Sequence, residues 1–289
     1  MVGGVAPPRD APRRARGGAP LACTGVTPPD EDAAARPGGH AAALGGAGVL
    51  VTGGASGIGA AVVDIARRAG ARVAVLDVQE VAVPDVLALR CDVADEGQVV
   101  ASVAAAHDQL EGIDLAVLSA GVGGFGALVD MEAAEWDRVL GINLRGVFLC
   151  LREVGRSMIG AGRGGSIVAV GSISGSLTER LMGNYSVSKA GVAQLVRVAA
   201  RELGPFGVRV NTIAPGATET PLFAQTKGLP GYQERAAERA ALGGLGSAHA
   251  VAAAALSLAA MPWVTGQVLA ADGGVSLWSP IDPAESLGS

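Results

Sequence analysis

From Val49 onward, hydrophobic and polar positions fall into a repeating unit: a short apolar run, a Gly-rich or acidic turn, then an amphipathic or Ala-rich stretch. The apolar runs predict strands at Val49–Thr52, Val73–Leu76, Leu87–Arg90, Leu115–Ser119, Ile167–Gly171, Val208–Ile213 and Val268–Ala271. These runs are β-branched and Leu-rich and show no clear polar/apolar alternation, as expected of strands covered on both faces. Between them the spacing predicts helices, among them Ile58–Ala69, Ala133–Met158 and Ser188–Leu203. Strand–helix–strand units repeated this way predict an open parallel α/β sheet of about seven strands, doubly wound, with right-handed crossovers and helices on both faces. No internal repeat of solenoid period is present.

Residues 1–44 break the pattern. They are crowded with Pro, Gly, Ala and Arg and have neither helical nor strand periodicity. Such a segment buries too little apolar surface to offset its ordering entropy, so a disordered N-terminal extension is expected. It lacks the apolar stretch of a secretory signal, and its prolines and the acidic run Asp30, Glu31, Asp32 fit a transit peptide badly. An inert tail, or a start assigned too far upstream, is the expectation. Residues 45–289 are read as one catalytic domain.

Composition narrows the class. With 289 residues, 49% hydrophobic and 17% charged, the chain suits one large α/β domain rather than two. Aromatics at 3% and 44 glycines point to an Ala/Val/Leu core with close backbone approaches. A formal charge of -5 and a pI near 5.3 argue against a nucleic-acid or anionic-membrane surface. The longest apolar run, around Ala248–Trp263, is interrupted by Ser257 and Pro262 and falls short of the ~20 residues that span a bilayer. Cys23, Cys91 and Cys150 are odd in number and widely spaced, which fits a reducing, cytoplasmic setting better than a disulfide framework. His40, His107 and His249 are isolated, so no metal site is expected.

Two features carry cofactor chemistry. The first strand runs into Gly53-Gly54-Ala55-Ser56-Gly57-Ile58-Gly59 and then a helix. Glycines there allow a tight turn and close approach of backbone to a pyrophosphate, met by helix N-terminal N–H groups. A structural turn has similar composition; the strand-then-helix context favours the dinucleotide reading and a Rossmann domain. The second strand ends at Asp77, where a carboxylate binds both adenosine-ribose hydroxyls and repels a 2′-phosphate. The turn also offers no Arg or Lys for that phosphate, so NAD is favoured over NADP, with Asp77 as a simple turn residue the alternative.

A third feature carries proton chemistry. Asn184-Tyr185-Ser186-Val187-Ser188-Lys189 opens a helix and sets Tyr and Lys four apart on one face. An ammonium there favours the phenolate and is expected to lower a phenol pKa ordinarily near ~10. Ser172, after the fifth strand, stands where it can bond a substrate oxygen. An isolated Tyr-x-x-x-Lys is equally a solvated helix face.

The order and spacing of the pieces go further. Thr52-Gly53-x-x-x-Gly57-Ile58-Gly59, Asp92 after the third strand, Ala120-Gly121 after the fourth, Asn143 within a helix, Ser172 thirteen residues before Tyr185, and Pro215-Gly216 after the sixth strand occur together over about residues 46–276. In this the chain resembles the short-chain dehydrogenase/reductase family. The resemblance implies a catalytic tetrad of Asn143, Ser172, Tyr185 and Lys189, with Asn143 holding a proton-relaying water. It implies adenine bracketed by Asp92 and Val93, a nicotinamide positioned by Pro215, Gly216 and Thr220, and a cofactor contact at Thr218. Gly53, Ser56, Gly57, Ile58, Gly59, Asp77, Ala120, Gly121, Tyr185 and Lys189 complete the implied cofactor site. Val264-Thr265-Gly266-Gln267 and Asp272-Gly273-Gly274 resemble the family's last strand and its tail, which implies a homotetramer. Three departures stand out: Ser119 replaces the Asn of Asn-Ala-Gly, Gly244 sits where members acting on carrier-bound acyl chains often have Arg, and the loop at Met261-Pro262-Trp263 is short.

Three segments are expected to wall a substrate pocket: Gly121–Leu128, Ser174–Met182 and Pro221–Leu242, the last including a mobile lid. They bring Val122, Phe125, Leu177, Leu181, Met182, Leu222, Phe223, Leu229 and Tyr232, with Arg180, Lys227, Arg235 and Arg239 as scattered charges. The expected activity is NAD-dependent interconversion of a small hydrophobic secondary alcohol and its ketone, with Tyr185 as general acid/base. The alternatives are an NADPH-dependent 3-oxoacyl-thioester reductase and a non-catalytic dinucleotide-binding regulator.

Overall fold

The computed structural model describes residues 44–279. The expected disordered extension lies outside these, except for Leu44, which packs into the core at 6% exposure.

The chain begins with β1 (Gly48–Thr52), α1 (Gly57–Arg68), β2 (Arg72–Asp77), β3 (Val86–Arg90), α2 (Glu96–Gln109) and β4 (Leu115–Leu118). It continues through α3 (Ala133–Leu140), a π-helical turn (Gly141–Gly146), α4 (Val147–Ala161), β5 (Gly165–Val170), α5 (Gly183–Leu203) and β6 (Val208–Pro215). A short pair, β7 (Thr218–Glu219) and β8 (Gly246–Ser247), frames α6 (Pro221–Ala224) and α7 (Tyr232–Glu238); α8 (Ala248–Ala260) and β9 (Val268–Ala271) close the domain.

All seven expected strands form and make one sheet in the order β3-β2-β1-β4-β5-β6-β9, every pair parallel. The missing alternation has a direct cause: successive side chains feed two different cores. Leu50, Leu76, Leu118 and Ile167 face one, beneath α2, α4 and α5. Val49, Val51, Val75, Val117 and Val168 face the other, beneath α1 and α8. Each fully buried Val or Leu contributes about 1.5–3 kcal/mol, and the buried polar Asn211 within β6 is accommodated by donating to Val264 O and accepting from Gln267 N.

One expected element is corrected. The single helix Ala133–Met158 is interrupted by the π turn at 141–146, which contains Asn143. Inserted residues of this kind gather at functional positions, and here the side chain bonds outside its own helix, as described below. The β7–β8 pair left no legible pattern because two residues per strand are too few for a periodicity. Among the described residues no helix is long and apolar enough to cross a membrane, and no cluster of three His, Cys, Asp or Glu is placed to hold a metal.

The strand order reverses between β1 and β4, and a cavity of about 430 Å³ opens beyond the carboxyl ends of the strands there. That is where doubly wound sheets bind ligands.

Candidate active site

One end of the cavity is built from β1, β2 and their turns. Gly53 turns with φ +68°, and a Cβ on it would lie 2.7 Å from the Ala120 Cα, so only glycine fits. Ser56 is the N-cap of α1 but makes no side-chain cap bond, and the first turn of α1 holds no acid. With Gly57 and Ile58 it presents free N–H groups to the cavity, the arrangement that receives a phosphate. Asp77 ends β2 on the cavity wall, 7% exposed, its carboxylate accepting from Ala55 N and Gln79 N at 2.9 Å each. Asp92 and Val93 border the same end, and Ala120 and Gly121 line its floor. A dinucleotide therefore fits this cradle on three observations: the phosphate turn, the carboxylate at the second strand's end, and their continuity with the groups below.

Gly59 does not line the cavity. A Cβ there would lie 2.1 Å from Gly53 O, so its lack of a side chain lets α1 close against the turn. Ser119, the departure from Asn-Ala-Gly, contributes through its backbone. Its N–H donates to Thr52 O at 3.2 Å, and Ala120 N donates to Thr52 Oγ1 at 3.2 Å, so β1 and β4 are tied here through Thr52.

The other end holds the residues expected to transfer protons. Tyr185 sits in the first turn of α5 and Lys189 one turn later, with the Lys189 Nζ 5.6 Å from the Tyr185 ring centroid. Lys189 is 5% exposed, and its ammonium donates to Val170 O at 2.9 Å. Ser172 caps the turn after β5, its hydroxyl accepting from Ser174 N at 3.1 Å, and it shares the cavity wall with Tyr185, near enough to act on the phenol. Pro215, Gly216, Thr218 and Thr220 close the side toward β6, with Thr220 also capping α6 through Phe223 N at 3.2 Å.

Asn143, fully buried, lies behind the wall rather than on it. Its Oδ1 accepts from Val122 N at 2.8 Å, and its Nδ2 donates to Val122 O at 2.9 Å and to Ser188 Oγ at 3.2 Å. The π turn aims this amide so that it holds the loop after β4 against α5. Gly121 makes room for it: a Cβ there would lie 3.2 Å from Asn143 Oδ1 and 3.5 Å from Lys189 Nζ.

The expected lowering of the Tyr185 pKa does not occur in the chain itself. Burial pushes the phenol above its ordinary value, the Ser172 hydroxyl pulls it down, and the nearby Glu179 carboxylate pushes it up again. Burial also brings Lys189 down to about 8, so the ammonium is less charged near neutrality than an exposed lysine and favours the phenolate less.

The substrate walls differ from expectation in two ways. Val122, Phe125, Met182, Leu222, Phe223 and Tyr232 line the cavity, but Leu177, Leu181 and Leu229 do not and are 37%, 55% and 42% exposed. Leu181 turns outward with φ +70° while its carbonyl accepts from Gly126 N at 2.8 Å, pinning two walls together. The wall is also less apolar than expected, because Glu179, Ser174 and Thr226 line it. Glu179 was overlooked because a lone acid in a loop carries no periodicity or motif. Of the scattered charges, Arg235 and Arg239 reach the cavity, while Arg180 and Lys227 do not.

A phosphate-binding turn and a Ser–Tyr–Lys group at one crevice of a parallel sheet define a dinucleotide-dependent oxidoreductase. A family model described as enoyl-(acyl carrier protein) reductase matches residues 53–276. A cis-4-hydroxycyclohexanecarboxylate dehydrogenase of Sinomonas cyclohexanicum is 40% identical over 239 residues, 78% of this chain and 94% of that one. A 2,5-dichloro-2,5-cyclohexadiene-1,4-diol dehydrogenase of Sphingobium indicum is 36% identical over 80% of this chain and 97% of its own. The crystal structure of a levodione reductase superposes with a TM-score of 0.75 at 33% identity, covering 81% of this chain and 99% of that one. The chain belongs to the short-chain dehydrogenase/reductase family. It is an oxidoreductase of alcohol and ketone groups that uses a nicotinamide dinucleotide.

Proposed function

We propose that the protein interconverts a ring-bearing secondary alcohol and its ketone, with NAD preferred over NADP. The observation that carries this is that Ser172, Tyr185 and the buried Lys189 line the same cavity as the phosphate turn, with Lys189 Nζ 5.6 Å from the Tyr185 ring. Bound nicotinamide supplies the hydride acceptor or donor; the proton is handled by the chain. In oxidation, Ser172 and Tyr185 flank the alcohol oxygen, and Tyr185 removes its proton as the carbon–hydrogen bond gives up hydride. In reduction, the same phenol returns the proton while Ser172 polarises the carbonyl. Asn143, through Val122 and Ser188, holds the substrate loop against the catalytic helix.

The NAD preference is supported by Asp77 and by the absence of any Lys or Arg from the first four strands and their turns on the cavity wall. The ring-bearing substrate is supported by the apolar side chains around the catalytic groups and by the two relatives whose names carry a cyclohexane or cyclohexadiene ring. A 3-oxoacyl-thioester reductase is the competing reading, favoured by the description of the matching family model. Against it stand Asp77, and Gly244, which lines a separate cavity beyond the lid.

The test compares wild type with Tyr185→Phe on a panel of cyclic secondary alcohols, using NAD and then NADP. Loss of one general acid/base should lower turnover about 10²–10⁴-fold, while NADH binding persists because only the phenolic oxygen is removed. Wild-type turnover in the variant would remove Tyr185 from the mechanism, and preferential turnover with NADP would remove the role given to Asp77.

A further inference from the structure

One carboxylate stands among the catalytic groups with no part in the chemistry above. Glu179 lies in the loop between Ser172 and α5, half-buried, on the cavity wall. Its Oε2 accepts from the hydroxyl of Ser174, a residue only 7% exposed. Its Oε1 has the phenol of Tyr232, reaching from α7 at 3.5 Å, the outer limit of a hydrogen bond. Among the described residues Glu179 forms no ion pair. It stands near enough to Tyr185 and Tyr232 to raise both phenols.

A carboxylate offers about four acceptor sites, and one removed from water needs them filled. The neighbouring wall does not fill them, since Phe125, Met182, Leu222 and Phe223 have no side-chain donor. The two arginines of the cavity are engaged elsewhere: Arg235 donates to Pro230 O at 3.2 Å, and Arg239 stacks on Trp278 at 4.3 Å. Glu179 is half-buried and open to solvent in the free chain, so a substrate that displaces that water has to bring the donor that replaces it. A hydroxyl suits the partly apolar wall better than an ammonium, because it can donate without carrying a charge out of water. An anionic group would be repelled by Glu179 itself.

We infer that Glu179 determines substrate specificity by accepting a hydrogen bond from a second hydroxyl, so that the enzyme acts on diols and hydroxyketones in preference to alcohols with a single oxygen function. This rests on the alcohol/ketone reading above and narrows it.

The experiment measures kcat/KM for cyclohexanol, the isomeric cyclohexanediols and the isomeric aminocyclohexanols, in wild type, Glu179→Gln and Glu179→Leu. NADH binding serves as a check on folding. Wild type should favour its best diol over cyclohexanol by about tenfold to a hundredfold, the worth of one hydrogen bond to a charged acceptor. Glu179→Leu should collapse that ratio toward one, mainly through KM, since the second hydroxyl is held in ground and transition states alike. Glu179→Gln keeps a carbonyl acceptor and should recover part of the ratio. General damage to the fold lowers both rates together and leaves the ratio in place. A ratio unchanged in Glu179→Leu, or no diol preference in wild type, overturns the inference. A stronger preference for an aminocyclohexanol overturns the choice of hydroxyl. Turnover of none of these alcohols by wild type with either cofactor brings down the alcohol-dehydrogenase reading, and this inference with it.

Discussion

Tyr185 and Lys189 show what burial does to neighbouring ionisable side chains of opposite type. Removal from water raises the phenol and lowers the ammonium, so both are driven toward neutrality in the folded chain. The consequence is a pH dependence with a definite sign. Alcohol oxidation needs the phenolate, and burial holds the phenol above its ordinary value, so kcat/KM should rise with pH and still be rising through the alkaline range. Carbonyl reduction needs the phenol and should stay level at low pH and fall over the same alkaline range. Rate profiles in both directions check this, and a flat oxidation profile would take Tyr185 out as the titrating base. At this scale the proximity of Ser172, Tyr185 and Lys189 was legible because their mutual spacing is fixed by one helix turn and one strand end. Glu179 was not, because its meaning comes from Ser174, Tyr232 and Tyr185 around it.

Elements owe their relative placement to small residues as much as to apolar ones. Gly59 illustrates this: its backbone needs no left-handed conformation, yet any side chain would press on Gly53 and Gly54. Gly59→Ala should therefore destabilise by about 1–3 kcal/mol, the usual cost of overpacking, and weaken dinucleotide binding by displacing the turn. Gly160→Ala on α4 has open space around it and should be neutral or stabilising by up to about 1 kcal/mol through helix propensity. Thermal unfolding and NADH titration of the pair separate the two effects, and equal behaviour would contradict the spacing argument. The π turn belongs at this scale too. Gly141 and Gly146 bound it in the sequence, but the pattern of apolar positions runs through it unbroken. Only the bonds from Asn143 to Val122 and Ser188 show why the extra residue is there.

Two of the places where the domain exposes apolar side chains lie on helices α4 and α5 and at the edge strand β9. One includes Phe148 on α4 with Val187 and Val198 on α5, at 41%, 47% and 46% exposure. The other includes Trp263, the edge strand β9 with Val268 and Leu269, and Leu277 beyond it. An open sheet edge with half-exposed apolar side chains is a surface that proteins ordinarily cover. Two distinct self-complementary contacts generate a tetramer with closed symmetry. We expect light scattering at micromolar concentration to give four times the 28.5 kDa chain mass. Leu269→Arg should reduce the assembly while NADH binding persists. A monomeric wild type would remove the homotetramer from this reading.

Sequence by itself determined the seven parallel strands, the two-sided cover, the phosphate turn, Asp77 and the Ser172–Tyr185–Lys189 spacing, because each depends on residues close in the chain or on a run of apolar positions. Tertiary structure alone decided that Asn143 sits in a π turn behind the wall, that Gly59 is a packing contact, that burial raises the phenol, and that Glu179 stands on the cavity wall. Those four depend on which atoms meet across the fold and on how much water is excluded there, and neither quantity is encoded in any local stretch of residues.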